Sequence, residues 1–337
     1  MTQPITYAYL ETTNYCNLQC SFCNRHEVIG ALQHMPISKF RTMLEGLKHH
    51  PIQEAKLMGM GEPMLHPQFD IICKTFKEFF PDAFLIVATN CQYPVRPNSK
   101  MGKKFENCMK YIDLLYFSID GYKESYERDR SPAKWPKLIS FLEDFKNMNR
   151  HNCRVTCNYV VNPDNVYDIP IIQKEIVDVY KLEELRLNIA QDWSEDKSMP
   201  GGYKQEDVQY LKENWKDNIK GKDEWDFPDC FWVKNGIYTT VEGHVKMCCL
   251  NTGAEPFGNL FENTIDEIRE TKDYLNVKNG CLTNKPTSHC KNCSYKELVL
   301  EYLKYFILMI LNIQELKKKC LYLEDALILK VLHMLKR

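Results

Sequence analysis

The chain has 337 residues, enough to bury one large core or a large and a smaller domain. Its 44 lysine and arginine residues balance 45 acidic residues, and a net charge of -1 gives no electrostatic support for a nucleic-acid partner. The 15 cysteines are an odd number and favour metal ligation in a reducing compartment over a disulfide framework. The balanced charge favours a small-molecule substrate. The amino-terminal residues contain no signal peptide, so we expect a cytoplasmic protein.

Short apolar segments alternate with segments of helical periodicity through the first 190 residues. The predicted strands cover 7–10, 55–58, 84–88, 114–119, 155–161 and 185–189. The predicted helices cover 38–47, 69–80, 134–148 and 169–180. This alternation indicates an α/β fold with right-handed βαβ units and a parallel sheet. Periodicity alone fits both a partial barrel and a doubly wound sheet.

The loop after the first predicted strand contains Cys16, Cys20 and Cys23 in a CxxxCxxC spacing. Three thiolates on one loop leave a fourth ligand position open, whereas structural zinc sites and 4Fe–4S clusters normally take four protein ligands. A zinc site completed by His26 is the alternative. The spacing, with the aromatic Phe22 before the last cysteine, resembles the signature of the radical S-adenosylmethionine (SAM) superfamily. That resemblance implies a partial (β/α)6 barrel, a 4Fe–4S cluster on the three cysteines, and SAM on the fourth iron.

Two further motifs follow the second and third predicted strands, at the carboxyl ends where such sheets bind ligands. Gly59-Met60-Gly61-Glu62-Pro63 resembles the GGEP motif of that superfamily, with Met60 in place of a glycine. Thr89-Asn90-Cys91 resembles its Thr-Asn-Gly motif, and we expect Cys91 to be an ordinary buried residue. The resemblance implies that the first motif holds the SAM amino group. The candidate cofactor residues in the two motifs are Gly61, Glu62, Pro63 and Asn90.

The fourth predicted strand ends in Ser118-Ile119-Asp120-Gly121, which resembles the Ser-(Ile/Leu)-Asp-Gly of sulfatase-maturing and peptide-modifying members. In those members the serine contacts SAM, and an arginine twelve residues later binds its carboxylate. The matching residue is Arg130, whose guanidinium can hold a carboxylate in bidentate fashion. Weaker candidates lie at the ends of the fifth and sixth strands, for ribose, substrate or adenine contacts. The remaining candidates of the SAM site are Phe22, Asp120, Asn158, Asn162, Ile189 and Ala190.

A second set of cysteines follows a polar segment at 191–202, where we place a domain boundary. Cys230, Gly243 and Cys248, followed by Cys290-Lys-Asn-Cys293, resemble the SPASM and twitch domains of many radical SAM enzymes. The resemblance implies an auxiliary 4Fe–4S cluster held by Cys230, Cys248, Cys290 and Cys293. A zinc ribbon is the alternative. Cys249 or Cys281 could replace one of the named ligands.

The predicted domains are 1–200 for the barrel, 201–297 for the cluster domain and 298–337 for a helical tail. Within the second, we expect a helix over 205–219, a hairpin over 237–247 turning at Glu242-Gly243, and a helix over 264–277 capped by Thr264. The longest uncharged stretch of the tail, 305–314, is too short to span a bilayer. We expect the tail to pack on the barrel or on its own partner helix, with a membrane-surface or dimer contact as the alternative.

The resemblance implies that SAM is cleaved reductively to a 5′-deoxyadenosyl radical that abstracts a substrate hydrogen atom, with electrons from a flavodoxin- or ferredoxin-type donor. A fully ligated auxiliary cluster has no open iron, so we expect it to accept an electron from the substrate radical. The single-cluster arrangement resembles that of the butirosin aminocyclitol dehydrogenase, which favours oxidation of a small sugar- or cyclitol-like substrate. The alternatives are a peptide- or protein-modifying maturase and a non-catalytic zinc or iron–sulfur module.

Overall fold

The computed structural model describes residues 4–190, 203–219, 230–249 and 254–283, together with Lys285, Thr287 and Cys290. These residues belong to one unit, Met1–Asn292. Cys293, the predicted loop 191–202 and the predicted tail 298–337 lie outside the described residues. Among the described helices, none is both long and apolar enough to cross a bilayer.

Six parallel strands form the centre of the fold. They are β1 (Tyr7–Leu10), β2 (Glu54–Lys56), β3 (Phe84–Thr89), β4 (Leu114–Ser118), β5 (Arg154–Val161) and β6 (Leu185–Ile189). Each strand pairs with the next one in sequence, so the order from β6 to β1 contains no reversal. A doubly wound sheet reverses direction at a switch point. The strand order therefore confirms the partial (β/α)6 barrel.

Helices connect these strands, and right-handed crossovers that all run in one direction place them on one face of the sheet. They are α1 (Arg25–Val28), α2 (Ile37–Leu47), α3 (Phe69–Phe79), α4 (Lys100–Met109), α5 (Glu124–Asp129), α6 (Trp135–Lys146) and α7 (Ile169–Ile172). A π-helical segment, Gln173–Asp178, continues α7. The four helices predicted for this region are present within two residues of their predicted ends. The sequence prediction missed the four-residue α1, the lysine-rich α4 and the short, highly charged α5.

An aromatic cluster fixes β4 and its carboxyl end against the helical layer. Phe117 of β4 lies 5.2 Å from Phe141 and 4.8 Å from Phe145 of α6, measured between ring centroids. Phe105 of α4 contacts Phe141 at 5.5 Å. These edge-on contacts add to the burial of all four rings. The segment that follows β4 therefore starts from a fixed position.

The sheet continues beyond β1 into the predicted second domain. Three more strands extend it, β7 (Gly236–Thr239), β8 (His244–Lys246) and β9 (Gly258–Asn259), and β7 pairs in parallel with β1. The predicted hairpin with its turn at Glu242-Gly243 is confirmed, since β7 and β8 are antiparallel around it. The helices of this region are α8 (Gln205–Trp215), α9 (Phe231–Asn235), α10 (Ile265–Glu270) and α11 (Lys272–Leu282).

The prediction of a single helix over 264–277 is wrong, because the chain forms two helices there. Thr264 caps α10 as expected, in a capping box with Glu267. Thr271 then adopts an extended conformation and its hydroxyl accepts the Tyr274 N–H at 3.3 Å, which starts α11. Both helices place apolar residues on a buried face, so the periodicity runs through the break and conceals it.

Candidate functional site

The three amino-terminal cysteines lie on one loop that follows β1. The Cys23 N–H donates to the Cys20 carbonyl at 3.1 Å and closes a turn between them. Burial, partly offset by Arg130 and reinforced by the nearby Cys23, Asp120 and Cys16, raises the pKa of Cys20 to about 12. The thiols therefore lie within electrostatic range of one another, as the ligands of one cluster must.

This loop is held against the end of α5 by backbone hydrogen bonds. The Gln19 N–H donates to the Ser131 carbonyl at 2.6 Å, and the Ser21 N–H donates to the Asp129 carbonyl at 2.9 Å. Arg130 lies between these two acceptors in sequence, and its guanidinium carbon lies 5.6 Å from the centre of the Phe22 ring. Such a distance permits a cation–π interaction. The cysteine loop and the predicted SAM-carboxylate ligand are thus in direct contact.

The Gly-Met-Gly-Glu-Pro turn after β2 packs directly on the chain that leads into the cysteine loop. A Cβ atom at Gly61 would lie 2.2 Å from the Thr13 carbonyl oxygen and 2.8 Å from that of Tyr15. The Glu62 N–H donates to the Tyr15 carbonyl at 2.7 Å. Only glycine permits this approach. Pro63 is buried and begins a short 3₁₀ helix, Pro63–Leu65.

The Glu62 carboxylate joins the second and third motifs. It accepts hydrogen bonds from the Thr89 hydroxyl at 2.8 Å, the Asn90 N–H at 2.7 Å and the Met64 N–H at 3.1 Å. A carboxylate accepts about four hydrogen bonds, so these contacts leave it capacity for one more. Burial outweighs the hydrogen bonds and raises the pKa of Glu62 to about 7. Glu62 therefore holds the turn after β2 against the end of β3, and its carboxylate can accept one further hydrogen bond.

Asn90 extends this network to the cysteine loop. Its Nδ2 donates to Asn17 Oδ1 at 2.8 Å and lies 3.9 Å from Cys16 Sγ. Cys91 is fully buried, as predicted, and has φ of +58°, a conformation that glycine adopts most easily. This backbone conformation explains why the related motif carries glycine at that position.

Asp120 and Arg130 form a buried ion pair beyond β4. Arg130 Nε donates to Asp120 Oδ2 at 2.5 Å, and the Val160 N–H donates to Asp120 Oδ1 at 2.6 Å. Burial opposes the charge of Arg130, but Asp120, Cys20 and Tyr126 together outweigh this effect and raise the arginine pKa. Asp120 therefore orients Arg130 and is itself fully buried. Among the described residues, none accepts a hydrogen bond from the two terminal guanidinium nitrogens of Arg130.

The weaker candidates are less closely tied to the cysteine loop. Asn158 accepts a hydrogen bond from Asn188 on the neighbouring strand at 2.8 Å, and Ile189 is half-buried at the end of β6. Asn162 donates to Asp129 Oδ2 at 2.9 Å, so it supports the segment that carries Arg130. Ser118 is buried at the end of β4.

Glu11 is a buried acidic residue that the sequence motifs did not identify. It follows β1, and its carboxylate accepts the Met60 N–H at 2.5 Å and the Val241 N–H at 3.0 Å. Burial raises the pKa of Glu11 to about 7. The sequence signal that could have identified Glu11 is an acidic residue at the carboxyl end of a buried strand. The Glu11 carboxylate connects the turn after β2 to the hairpin of the second domain.

A small cavity of about 20 Å³, room for about one water molecule, lies beside Glu11. Its lining combines the segment after Cys23, the turn after β2 and the β7–β8 hairpin. The lining residues are Glu11, Asn14, Val28, Ile29, Gly30, Met60, Tyr238, Thr240, Glu242 and Lys246. The buried Thr240 hydroxyl has no hydrogen-bond partner among the described residues. The cavity is thus lined by segments next to both cysteine-bearing regions, and its lining mixes polar and apolar groups.

The cysteines of the second region also gather. Cys290 packs against the apolar cluster that contains Cys281, and the nearby Cys281, Cys248 and Cys230 raise the pKa of Cys290. Cys249 instead lies near Lys56 and Tyr9. The structure therefore brings together three of the four predicted ligands with Cys281, while Cys293 lies outside the described residues.

The donor chemistry of both regions fits iron–sulfur clusters. Thiolates are the usual ligands of such clusters, and each region supplies at least three thiols that approach one another. Over the described part of the chain, no three Cys, His, Asp or Glu side chains converge closely enough to hold one metal ion. The cationic Arg130 beside the first group also suits a carboxylate ligand.

Two family profiles match the chain. The profile described as "Radical SAM superfamily" matches residues 10–171, and the one described as "Iron-sulfur cluster-binding domain", SPASM, matches residues 230–294. The first includes the cysteine loop, the turn after β2 and Arg130. The second includes all four cysteines predicted to hold the auxiliary cluster.

Individual proteins that resemble this chain share 15–25% sequence identity with it. The "tungsten-containing aldehyde ferredoxin oxidoreductase cofactor-modifying protein" of Pyrococcus furiosus is 25% identical over 51% of this chain and 48% of its own. The chain therefore spans about half the length of that relative. The structure of Streptococcus suis SuiB bound to precursor peptide SuiA is similar with a TM-score of 0.65 and 15% identity, over 81% of this chain and 66% of SuiB. BtrN in complex with AdoMet and 2-DOIA gives a TM-score of 0.53 and 15% identity, over 87% and 94%.

Proposed function

Because this chain belongs to the radical SAM superfamily and carries a SPASM iron–sulfur domain, we propose that it oxidises a small sugar- or cyclitol-like substrate by hydrogen-atom abstraction. The observation that supports this most is the convergence of four motifs at the carboxyl ends of β1 to β4. Direct hydrogen bonds link Glu62 to Asn90, Asn90 to Asn17 and the cysteine loop to Ser131.

Cys16, Cys20 and Cys23 would hold the 4Fe–4S cluster and leave one iron for SAM. When bound and reduced by a flavodoxin- or ferredoxin-type donor, this cluster supplies the electron that cleaves SAM to methionine and a 5′-deoxyadenosyl radical. The protein excludes water and fixes the reacting atoms close together, since the radical attacks whatever C–H bond is nearest. Phe22 contacts Arg130, and backbone hydrogen bonds hold the loop to Asp129 and Ser131.

Arg130 and Glu62 would bind the two charged groups of SAM. The terminal nitrogens of Arg130 remain available for a carboxylate after Nε has paired with Asp120. Glu62 retains one acceptor position for the ammonium group, beside the backbone of the turn at Gly61. Asp120 acts by positioning Arg130, and Asn90 acts by holding the cysteine loop in place.

The auxiliary cluster would be held by Cys230, Cys248, Cys290 and Cys293. Four cysteine ligands leave no iron open to substrate, so this cluster supplies an acceptor for the electron that remains on the substrate after hydrogen abstraction. The cavity beside Glu11 is lined by the β7–β8 hairpin, which leads to Cys248, and by the segment that follows Cys23.

That cavity has room for one hydroxyl or amino group of a substrate, since its volume is about 20 Å³. Glu11 and Glu242 can accept hydrogen bonds from such groups, and the buried Thr240 hydroxyl has none of its own among the described residues. An apolar substrate would leave the Thr240 hydroxyl unsatisfied, whereas both glutamates already accept hydrogen bonds from the protein. A peptide is the second candidate, because SuiB, whose fold this chain resembles, was determined with a bound precursor peptide.

The test is anaerobic reconstitution followed by incubation with SAM and dithionite. We expect about eight irons and eight sulfides per chain and formation of 5′-deoxyadenosine. An aminocyclitol should raise the yield of 5′-deoxyadenosine above the substrate-free background, and a cysteine-containing peptide should not. The reverse pattern would favour the maturase, and two zinc ions with no iron would leave only a binding module.

A further inference from the structure

Arg186 is an arginine inside the partial barrel that neither the cysteine motifs nor the proposed SAM site uses. It lies in β6 between Leu185 and Leu187 and is half-buried, whereas those two leucines are at most 1% exposed. Successive side chains of a strand point to opposite faces of the sheet. The leucines therefore belong to the packed face of β6, and Arg186 belongs to the face that is partly open.

The strand register places Arg186 in one row with two residues of the proposed SAM site. Arg186 pairs with Asn158 of β5, and Asn158 pairs with Ser118 of β4. Register partners share a face, and Phe117, the neighbour of Ser118, packs on α6 from the opposite face. The row therefore faces the barrel interior, away from the helices. Two strand spacings of about 4.8 Å place the backbone of Arg186 about 10 Å from that of Ser118.

The guanidinium of Arg186 is always charged, and it pairs with no carboxylate in the part of the chain that the structure describes. Its carbon lies 5.4 Å from the centre of the Tyr116 ring, so the ring stabilises the cation from one side. Arg130, the buried arginine of the proposed SAM site, pairs instead with Asp120. Taking a charge partly out of water costs free energy unless a counter-charge approaches it. The unpaired cation therefore indicates a position where an anion binds.

Two amide side chains beside Arg186 supply further hydrogen-bond donors. Asn188, two residues later on the same face, donates from Nδ2 to Asn158 Oδ1 at 2.8 Å. Both side chains are half-buried, so the interior space that reaches Arg186 reaches them as well. Each amide has two N–H donors, and the contacts among the described residues engage one of Asn188 and none of Asn158. The remaining donors can bind the oxygens of an anion or neighbouring hydroxyl groups.

We propose that Arg186 binds an anionic group of the substrate, a phosphate or a carboxylate. A guanidinium can bind either group through two parallel hydrogen bonds, which fix the orientation of the ligand as well as its position. A substrate anchored at Arg186 can turn one of its C–H bonds toward the SAM site at Ser118. The inference rests on the proposed function, because that proposal alone places SAM beside Ser118. It narrows the proposed sugar- or cyclitol-like substrate to one that carries a negative charge.

The experiment measures the binding of inorganic phosphate and of acetate to the full chain. The protein is reconstituted with iron and sulfide and saturated with SAM, so that the SAM carboxylate occupies Arg130. Isothermal titration calorimetry compares the parent with Arg186→Gln and Arg186→Lys. Arg154→Gln is the matched control, because Arg154 begins β5 on the same face as Asn158 and lies over the Phe84 ring at 5.3 Å. Circular dichroism and iron content verify that each variant is folded.

We expect the parent and Arg154→Gln to bind at least one of the two anions with equal affinity. Arg186→Gln should bind that anion at least about tenfold more weakly. Arg186→Lys should have an intermediate affinity, since lysine keeps the charge but loses the two-point contact. The anion that binds more tightly identifies the group that the substrate carries. Equal affinity in the parent and a folded Arg186 variant, or no binding of either anion to the parent, would overturn the inference.

SAM cleavage by the parent distinguishes a failure of this inference from a failure of the proposed function. Formation of 5′-deoxyadenosine with dithionite, together with anion binding that depends on Arg186, supports both. Formation of 5′-deoxyadenosine without such anion binding would refute the substrate role of Arg186 alone. Anion binding that depends on Arg186 in a parent that forms no 5′-deoxyadenosine would refute the proposed function, and with it the role of Arg186 in that reaction.

Discussion

Gly61 is the position where a single methyl group should most directly disturb the SAM site. In Gly61→Ala the new Cβ would meet two backbone carbonyl oxygens, those of Thr13 at 2.2 Å and Tyr15 at 2.8 Å. Backbone atoms cannot rotate away as a flexible side chain can. The turn after β2 must therefore separate from the chain that leads to Cys16, and the Glu62–Tyr15 hydrogen bond must break.

The expected cost follows from two contributions. Overpacking of this kind costs about 1–3 kcal/mol, and the loss of one buried hydrogen bond adds about 0.5–1.5 kcal/mol. We expect Gly61→Ala to lower the free energy of unfolding by about 2–4 kcal/mol, without unfolding a domain of ordinary stability. The displaced cysteine loop should also retain less iron and bind SAM more weakly.

Gly46→Ala provides the matched control, since a Cβ there meets no heavy atom within 4 Å. Gly46 lies within α2, where alanine is favoured over glycine by about 0.5–1 kcal/mol. Urea unfolding of the metal-free chains gives both stabilities, and iron analysis after reconstitution gives cluster retention. Equal stability and equal iron content in the two variants would refute the close contact at Gly61.

Three further predictions concern charge and electron transfer. Arg130→Lys should weaken SAM binding by about 1.5–3 kcal/mol, because lysine keeps the charge but loses the two-point grip and the fixed Nε contact with Asp120; unchanged affinity in calorimetry would place the carboxylate elsewhere. Glu11→Gln should reduce the pH dependence of unfolding. The folded chain keeps a proton on Glu11 between pH 4.5 and about 7 that the unfolded chain has released, so this group's stabilisation is complete below pH 4.5 and is lost as the pH rises through 7. It amounts to about 3 kcal/mol, and parallel pH profiles for the two proteins would contradict it. Replacing Cys290 and Cys293 together by alanine should preserve 5′-deoxyadenosine formation while product oxidation falls much further; equal loss of both in a folded variant would argue for a structural role of the second cluster.

The local signals in the sequence were sufficient for most of the barrel. Each predicted strand is present within two residues of its expected bounds, because short β-branched runs between amphipathic helices are distinctive. The motif positions were equally accessible, since ligand sites lie at the carboxyl ends of parallel strands. The insertion of β7 beside β1 was not predicted, because pairing between segments so far apart leaves no periodic signal.

The supporting contacts of the site were also beyond the sequence. Glu11 reaches Val241 across 230 positions, and no motif spacing records that hydrogen bond. Asp120 was identified as a cofactor-binding candidate, yet its carboxylate is fully buried and orients Arg130. The proximity of Cys281 to Cys290 depends on the turn at Gly280 after α11. The domain limits at residues 200 and 297 remain predictions.

The central claim is that Cys16, Cys20 and Cys23 hold the cluster that cleaves SAM. The most direct measurement compares the reconstituted parent with the variant in which all three are alanine, each incubated anaerobically with SAM and dithionite. We predict about eight irons per chain in the parent and about four in the variant, with 5′-deoxyadenosine formed by the parent alone. Formation of 5′-deoxyadenosine by the variant, or zinc in place of iron in the parent, would contradict the claim.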